Sequence, residues 1–199
     1  MEDISKNICI FASSSDLIER SYFKSAYELG LEIGNFGYNV VYGGSTLGLM
    51  GEVTAGARKM GSDIIGIMPE RLYNMGISSG DCTKFILTKG MRERKEKMDK
   101  LSSALIALPG GFGTLEELSE MIVQKQIGYN NKPIVIFNTN GYYDKLIAFF
   151  DSIIENQFAS KITNQIYFVT DNPLDALNYI KNYSNEEVNY LKGKIRLKN

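Results

Sequence analysis

Ala104-Leu105-Ile106-Ala107-Leu108-Pro109-Gly110-Gly111-Phe112-Gly113-Thr114-Leu115-Glu116-Glu117 is an apolar run of strand length that breaks at proline and glycine and passes straight into a helical pattern. The helical part carries its apolar stripe on Leu115, Leu118, Met121 and Ile122. A short, continuously apolar strand followed at once by an amphipathic helix belongs to a parallel sheet buried on both faces. The same alternation recurs along the chain. Strands are expected at residues 7–12, 38–42, 63–69, 83–88, 104–108, 133–138 and 166–170, and helices at 16–35, 49–60, 91–102, 115–127, 142–156 and 173–182. Alternating strands and helices specify an α/β fold, a doubly wound parallel sheet of about seven strands with helices on both faces. Gly34 and Gly37 suit the end of the first helix, and Pro173 the first turn of the last.

Length and composition agree. The chain has 199 residues, 44% hydrophobic and 23% charged, with no Pro- or Ser-rich linker and no internal repeat. One domain over residues 1–183 is expected, followed by a polar tail at 184–199. Twenty-two basic against twenty-three acidic residues offer no bulk field for nucleic acid or an anionic membrane. The polar, acidic start over residues 1–7 does not resemble a signal peptide, and no apolar run approaches a membrane span. A cytoplasmic protein is the expectation.

The chain contains no histidine and no tryptophan. A Ser-His-Asp triad, a histidine metal site and an imidazole acid or base are therefore excluded. Cys9 and Cys82 are too few for a cysteine zinc site and lie in strand-like runs, as small core residues do. Chemistry must run on carboxylates, Arg, Lys, Tyr, hydroxyls, backbone amides or the two thiols.

Ligands of an open parallel sheet bind where strands end, so the loops leaving the strands come first. Three are rich in small residues: Ser13-Ser14-Ser15-Asp16, Gly43-Gly44-Ser45-Thr46-Leu47-Gly48, and Pro109 through Thr114. Glycines let backbone amides approach a ligand, and the following helix adds its positive end, which together make a phosphate cradle. Neither glycine loop ends in the Lys-Ser/Thr of a P-loop, and Glu116 stands where a dinucleotide fingerprint needs a small residue. A phosphate is expected, and neither NAD nor ATP hydrolysis is.

In the helix at 91–102, Met91, Met98, Leu101 and Ser102 form one stripe, and Arg94 and Lys95 fall on it. Inward cations need an anion, either a protein carboxylate or a ligand phosphate. The other charges of this helix form a solvated face. Thr114 with Glu117 reads as a capping box. Yet Glu116 and Glu117 stand directly after a phosphate loop, and without histidine they are the best base or cation stabiliser in the chain.

Tyr42-Gly43-Gly44 with Gly48-Leu49-Met50-Gly51, Met91-x-x-Arg94-Lys95, and Pro109-Gly110-Gly111-x-Gly113-Thr114-x-x-Glu117 together resemble the LOG family, the "lonely guy" cytokinin riboside 5'-monophosphate phosphoribohydrolases. The similarity runs from about Ile8 to Tyr183 and includes Gly141-Tyr142-Tyr143-Asp144. It implies a Rossmann-like fold, a homodimer, and hydrolysis of the N-glycosidic bond of a purine (cytokinin-like or adenosine) nucleoside 5'-monophosphate to free base and ribose 5-phosphate, without metal or organic cofactor. It also implies catalytic roles for Arg94 and Glu117. Lys95, Gly110, Gly111, Phe112, Gly113, Thr114, Leu115 and Glu116 match substrate-binding positions, joined by Ser14, Gly43, Gly44 and Met91. Members were long labelled lysine decarboxylases, but no pyridoxal phosphate lysine motif is recognisable here. Arg92 stands where many members have histidine, Ser45 replaces a third glycine, and the segment 72–81, with Gly76 where some have glutamate, matches poorly. That segment is expected to shape the base pocket. The alternative is a nucleotide-binding or sensor protein that uses the same pocket without turnover.

Overall fold

The computed structural model describes residues 4–77 and 82–184. In chain order the elements are β1 (Asn7–Phe11), α1 (Arg20–Asn35), β2 (Asn39–Tyr42), α2 (Gly48–Lys59), β3 (Ile64–Pro69), α3 (Glu70–Asn74), β4 (Lys84–Thr88), α4 (Met91–Lys100), β5 (Ala104–Ala107), α5 (Phe112–Gln126), β6 (Ile134–Phe137), α6 (Asp144–Glu155), β7 (Phe168–Thr170) and α7 (Pro173–Lys181). All seven expected strands form, and every pairing is parallel, in the order β4-β3-β2-β1-β5-β6-β7. This is the doubly wound, Rossmann-like arrangement.

Side chains along β1 alternate between two cores. Ile8, Ile10 and Ala12 pack with Ala26, Leu29 and Ile33 of α1, Leu49 and Val53 of α2, and Ala176 and Leu177 of α7. Cys9 and Phe11 join Met98 of α4, Leu118 and Met121 of α5 and Tyr143 on the other face. Burial pushes the Cys9 thiol far up, so it remains protonated and serves as packing. Among the described residues no helix is long and apolar enough to cross a membrane.

Helix ends follow local chemistry. Gly37, at φ +75°, closes α1, where Tyr38 N–H donates to Ile33 O and Gly37 N–H to Gly34 O. Asn172 caps α7 by accepting from the amides of Leu174 and Asp175, ahead of Pro173.

Three expectations are corrected. The first helix starts at Arg20 rather than 16, because Asp16 turns its carboxylate across to Gly48 instead of starting its own helix. Helix α5 starts at Phe112 with Gly111 as N-cap and no side-chain cap bond, so Thr114 and Glu117 form no capping box. The short α3 was not expected, since five residues carry no readable period. Of the expected tail at 184–199 and the divergent segment 72–81, residues 185–199 and 78–81 lie outside the described residues.

Candidate active site

The order in which strands are added switches from one side to the other at β1, which sits between β2 and β5. The carboxyl ends of strands at such a switch point leave a crevice. It holds a cavity of about 440 Å³, walled by Ser13, Ser14 and Ser15 after β1, Gly43 and Ser45 after β2, Met68 at the end of β3, Met91 and Arg94 of α4, and Gly111, Gly113, Thr114 and Glu117 after β5. Leu47, Met50, Leu72 and Ile77 add an apolar side.

Two glycine-rich loops converge here, but only one keeps an open helix start. At α2 the amides are already used. Gly48 N–H donates to Asp16 Oδ1 at 2.8 Å, and Leu49 and Met50 N–H both reach Ser13 O, at 2.9 and 3.4 Å. At α5 the first-turn amides have no partner within the helix, and among the described residues no side chain caps them. The carbonyls just before them are all engaged. Tyr143 Oη donates to Leu108 O at 2.7 Å, Ser13 N–H to Pro109 O at 3.1 Å, and Tyr142 Oη to Gly110 O at 2.6 Å. With those carbonyls held, the loop presents Gly111, Gly113 and Thr114 to the cavity. An uncapped N-terminus of a 15-residue helix, fed by a glycine loop, turns free amides and the positive end of the helix dipole toward the cavity, which is the chemistry an anion needs.

Beneath it lies an ion pair. Arg94 Nη1 is 2.5 Å from Glu117 Oε1, and both residues are only 8% exposed. Arg94 Nε donates to Ile67 O at 3.2 Å, which ties the guanidinium to β3. Burial pushes the Glu117 carboxyl up from the ordinary glutamate value, while the adjacent guanidinium pulls the other way. A buried carboxylate held at a cavity wall by a fixed cation can accept a proton or face a developing positive charge.

The neighbouring charges behave differently. Lys95 bridges Glu116 at 2.5 Å and Glu120 at 2.6 Å. Burial works against its charge, but the two carboxylates outweigh it and raise the ammonium above its usual pKa. Both inward cations of α4 therefore meet protein carboxylates, and Arg94 alone of the two also lines the cavity. Of the two adjacent glutamates, Glu117 faces the cavity, whereas the Glu116 side chain is 58% exposed and turned to Lys95.

Of the residues singled out in the sequence, Ser14, Gly43, Met91, Arg94, Gly111, Gly113, Thr114 and Glu117 come together around the cavity. Gly44, Lys95, Gly110, Phe112, Leu115 and Glu116 are not among its lining residues, and Phe112 is 92% exposed. Leu72 and Ile77 line the cavity from the segment expected to shape the base pocket, whereas Met50 and Met68 were missed as lining residues. Met68 is the penultimate residue of β3 at the sheet's carboxyl edge, a position that could have flagged it.

Residues 50–180 match the family described as "Possible lysine decarboxylase". The chain is 37% identical over 179 residues to a probable cytokinin riboside 5'-monophosphate phosphoribohydrolase of Oryza sativa subsp. japonica, covering 90% of this chain and 72% of that one. It is 36% identical over 178 residues to a cytokinin riboside 5'-monophosphate phosphoribohydrolase of Arabidopsis thaliana, covering 89% and 84%. Among solved structures, the molybdenum cofactor carrier protein of Chlamydomonas reinhardtii shares the fold, with a TM-score of 0.66 at 24% identity over 88% of this chain and 95% of that one. With relatives this similar along most of its length and the paired glycine, arginine and glutamate motifs gathered at one cavity, the chain belongs to the LOG family of cytokinin riboside 5'-monophosphate phosphoribohydrolases.

Proposed function

We propose that the protein hydrolyses the N-glycosidic bond of a purine nucleoside 5'-monophosphate, releasing the free base and ribose 5-phosphate. The observation that carries this reading is the buried Arg94–Glu117 pair at the wall of a cavity whose other end is the open N-terminus of α5. The amides of residues 111–114 bind the 5'-phosphate and supply binding energy remote from the reacting bond. Arg94 and Glu117 are the catalytic residues. As the C1'–N bond breaks, its electron pair leaves with the base and positive charge builds on the ribose. Glu117 faces that charge and orients a water, whose oxygen bonds to C1' and whose proton offsets the charge on the departing nitrogen. Arg94 holds the substrate and Glu117 in register.

Met50, Met68, Leu72 and Ile77 supply the apolar side for the base. A pyridoxal phosphate decarboxylase would need a lysine facing its substrate, and Arg94 is the cation among the described lining residues. The catalytic unit is residues 1–183. The protein works as a cytoplasmic homodimer and does not engage nucleic acid, its charge being balanced. An apolar groove between α5 and α6, bordered by Ile122, Val123, Phe149 and Ile153, supports pairing.

Incubation with AMP, its N6-isopentenyl analogue, GMP and CMP, followed by chromatography of released base, tests the activity. Base release from a purine monophosphate is expected. Retained nucleotide binding without any base would convert the reading to a sensor. Glu117→Gln should lower turnover by about 10²–10⁴-fold while leaving nucleotide binding in place.

A further inference from the structure

Two consecutive tyrosines hold the loop that opens α5, from different depths. Tyr143 is 4% exposed and donates to Leu108 O at 2.7 Å. Tyr142 is 47% exposed and donates to Gly110 O at 2.6 Å. For so open a side chain it is firmly mounted. Its amide donates to Thr139 O at 3.1 Å, and its ring stands edge-to-face with Tyr22 and Tyr143, at centroid distances of 6.1 and 4.9 Å.

The carbonyl that Tyr142 holds belongs to the one peptide of this loop that joins two glycines, Gly110 and Gly111. A peptide plane flips by turning ψ of the residue before it and φ of the residue after it. With no Cβ on either side, both turns are easy. Packing does not hold Gly111 in place, since a Cβ there would meet nothing within 4 Å. The preceding peptide has its own anchor, Ser13 N–H on Pro109 O.

A trans peptide points its C=O and its N–H to opposite sides. Gly110 O is drawn to Tyr142, which does not line the substrate cavity, whereas Gly111 does line it. The Gly111 N–H therefore faces inward. In the flipped state a carbonyl oxygen would stand there instead and repel an anion.

We infer that Tyr142 is a positioning residue: its hydroxyl holds the Gly110–Gly111 peptide in the orientation that offers the Gly111 amide to a phosphate. The inference deepens the reading above, in which residues 111–114 take the 5'-phosphate, and rests on it.

Tyr142→Phe removes one oxygen and keeps both ring contacts. Ribose 5-phosphate and inorganic phosphate should bind about 10-fold more weakly or worse, the loss of one hydrogen bond to a charged group. Adenosine, which lacks the phosphate, should bind as before. In turnover the loss should appear in KM for AMP more than in kcat. The melting temperature should stay where it is, and in spectra of the ligand-free proteins the Gly111 amide resonance should move.

Equal phosphate affinity in the two proteins overturns the proposal and leaves the hydrolase reading in place. An equal loss for adenosine and for phosphate, the mark of general loosening, also overturns it. So does weakened phosphate binding with an unmoved Gly111 amide, which would make Tyr142 a direct ligand of the phosphate. If the unaltered protein binds neither ribose 5-phosphate nor inorganic phosphate, the phosphate reading itself fails and the proposal falls with it.

Discussion

At Gly43 the chain makes room for a guanidinium. A Cβ there would sit 2.4 Å from Arg94 Nη2 and 3.2 Å from Met50 Sδ, so the glycine after β2 exists for an arginine many residues later. Arg94 was legible in the sequence because a cation on an apolar stripe needs an anion. Which anion it meets was not legible, because the choice depends on how α4 and α5 approach in space. Asp16 misled for a similar reason: it sits where a helix should start, but its partner is the amide of Gly48. Glu117 leads to a pH prediction. Burial raises its carboxyl pKa above the ordinary glutamate value of about 4.3. With the ionised form acting as proposed, kcat/KM should fall as pH drops through a midpoint above that value. A pH profile whose acidic limb lies at or below the ordinary glutamate range would remove Glu117 as the group responsible.

Helices α1 and α2 cross at glycines, which the sequence shows only as weak points in two helical patterns. A Cβ on Gly30 would lie 2.2 Å from Val53 O, and one on Gly56 would lie 2.3 Å from Tyr27 O. These neighbours are backbone, so they cannot swing aside. Ala is favoured over Gly by about 1 kcal/mol in a helix interior, but the clash should exceed that gain, as overpacking costs about 1–3 kcal/mol and sometimes more. Gly56→Ala should therefore lower the melting temperature, by about 2–4 °C for each net kcal/mol lost, read by thermal denaturation. A raised melting temperature would mean that the two helices separate without cost. Strong periodicity made the long elements legible. Their starts were less so: Phe112 and Gly113 hardly look helical, yet α5 begins on them, and it is this early start that brings its uncapped amides to the cavity.

Across the whole molecule, alternating strands and helices announced a parallel sheet, but strand order depends on the path of each crossover and does not appear as a local pattern. Lys125 shows how the assembled core changes a residue. It follows Leu118 and Met121 at helical spacing, is 1% exposed, donates to Lys132 O at 2.8 Å and lies 4.6 Å from the Tyr183 ring. Burial pushes its pKa down to about 8. An unfolded lysine keeps its proton to about 10.4. Between those values the unfolded chain binds more protons, so stability should rise with pH across that window. Denaturant unfolding on either side of the window should show the rise in the unaltered protein and a smaller one in Lys125→Met; equal slopes would mean that Lys125 titrates normally. The sealed start of α2 has a consequence for selection among ligands. Ser13 and Asp16 occupy the amides that a second phosphate would seek, and Asp16 adds a negative charge beside them. On the hydrolase reading proposed above, the crevice has donors for one phosphate, and a nucleoside diphosphate, triphosphate or dinucleotide would meet a carboxylate where it needs a donor.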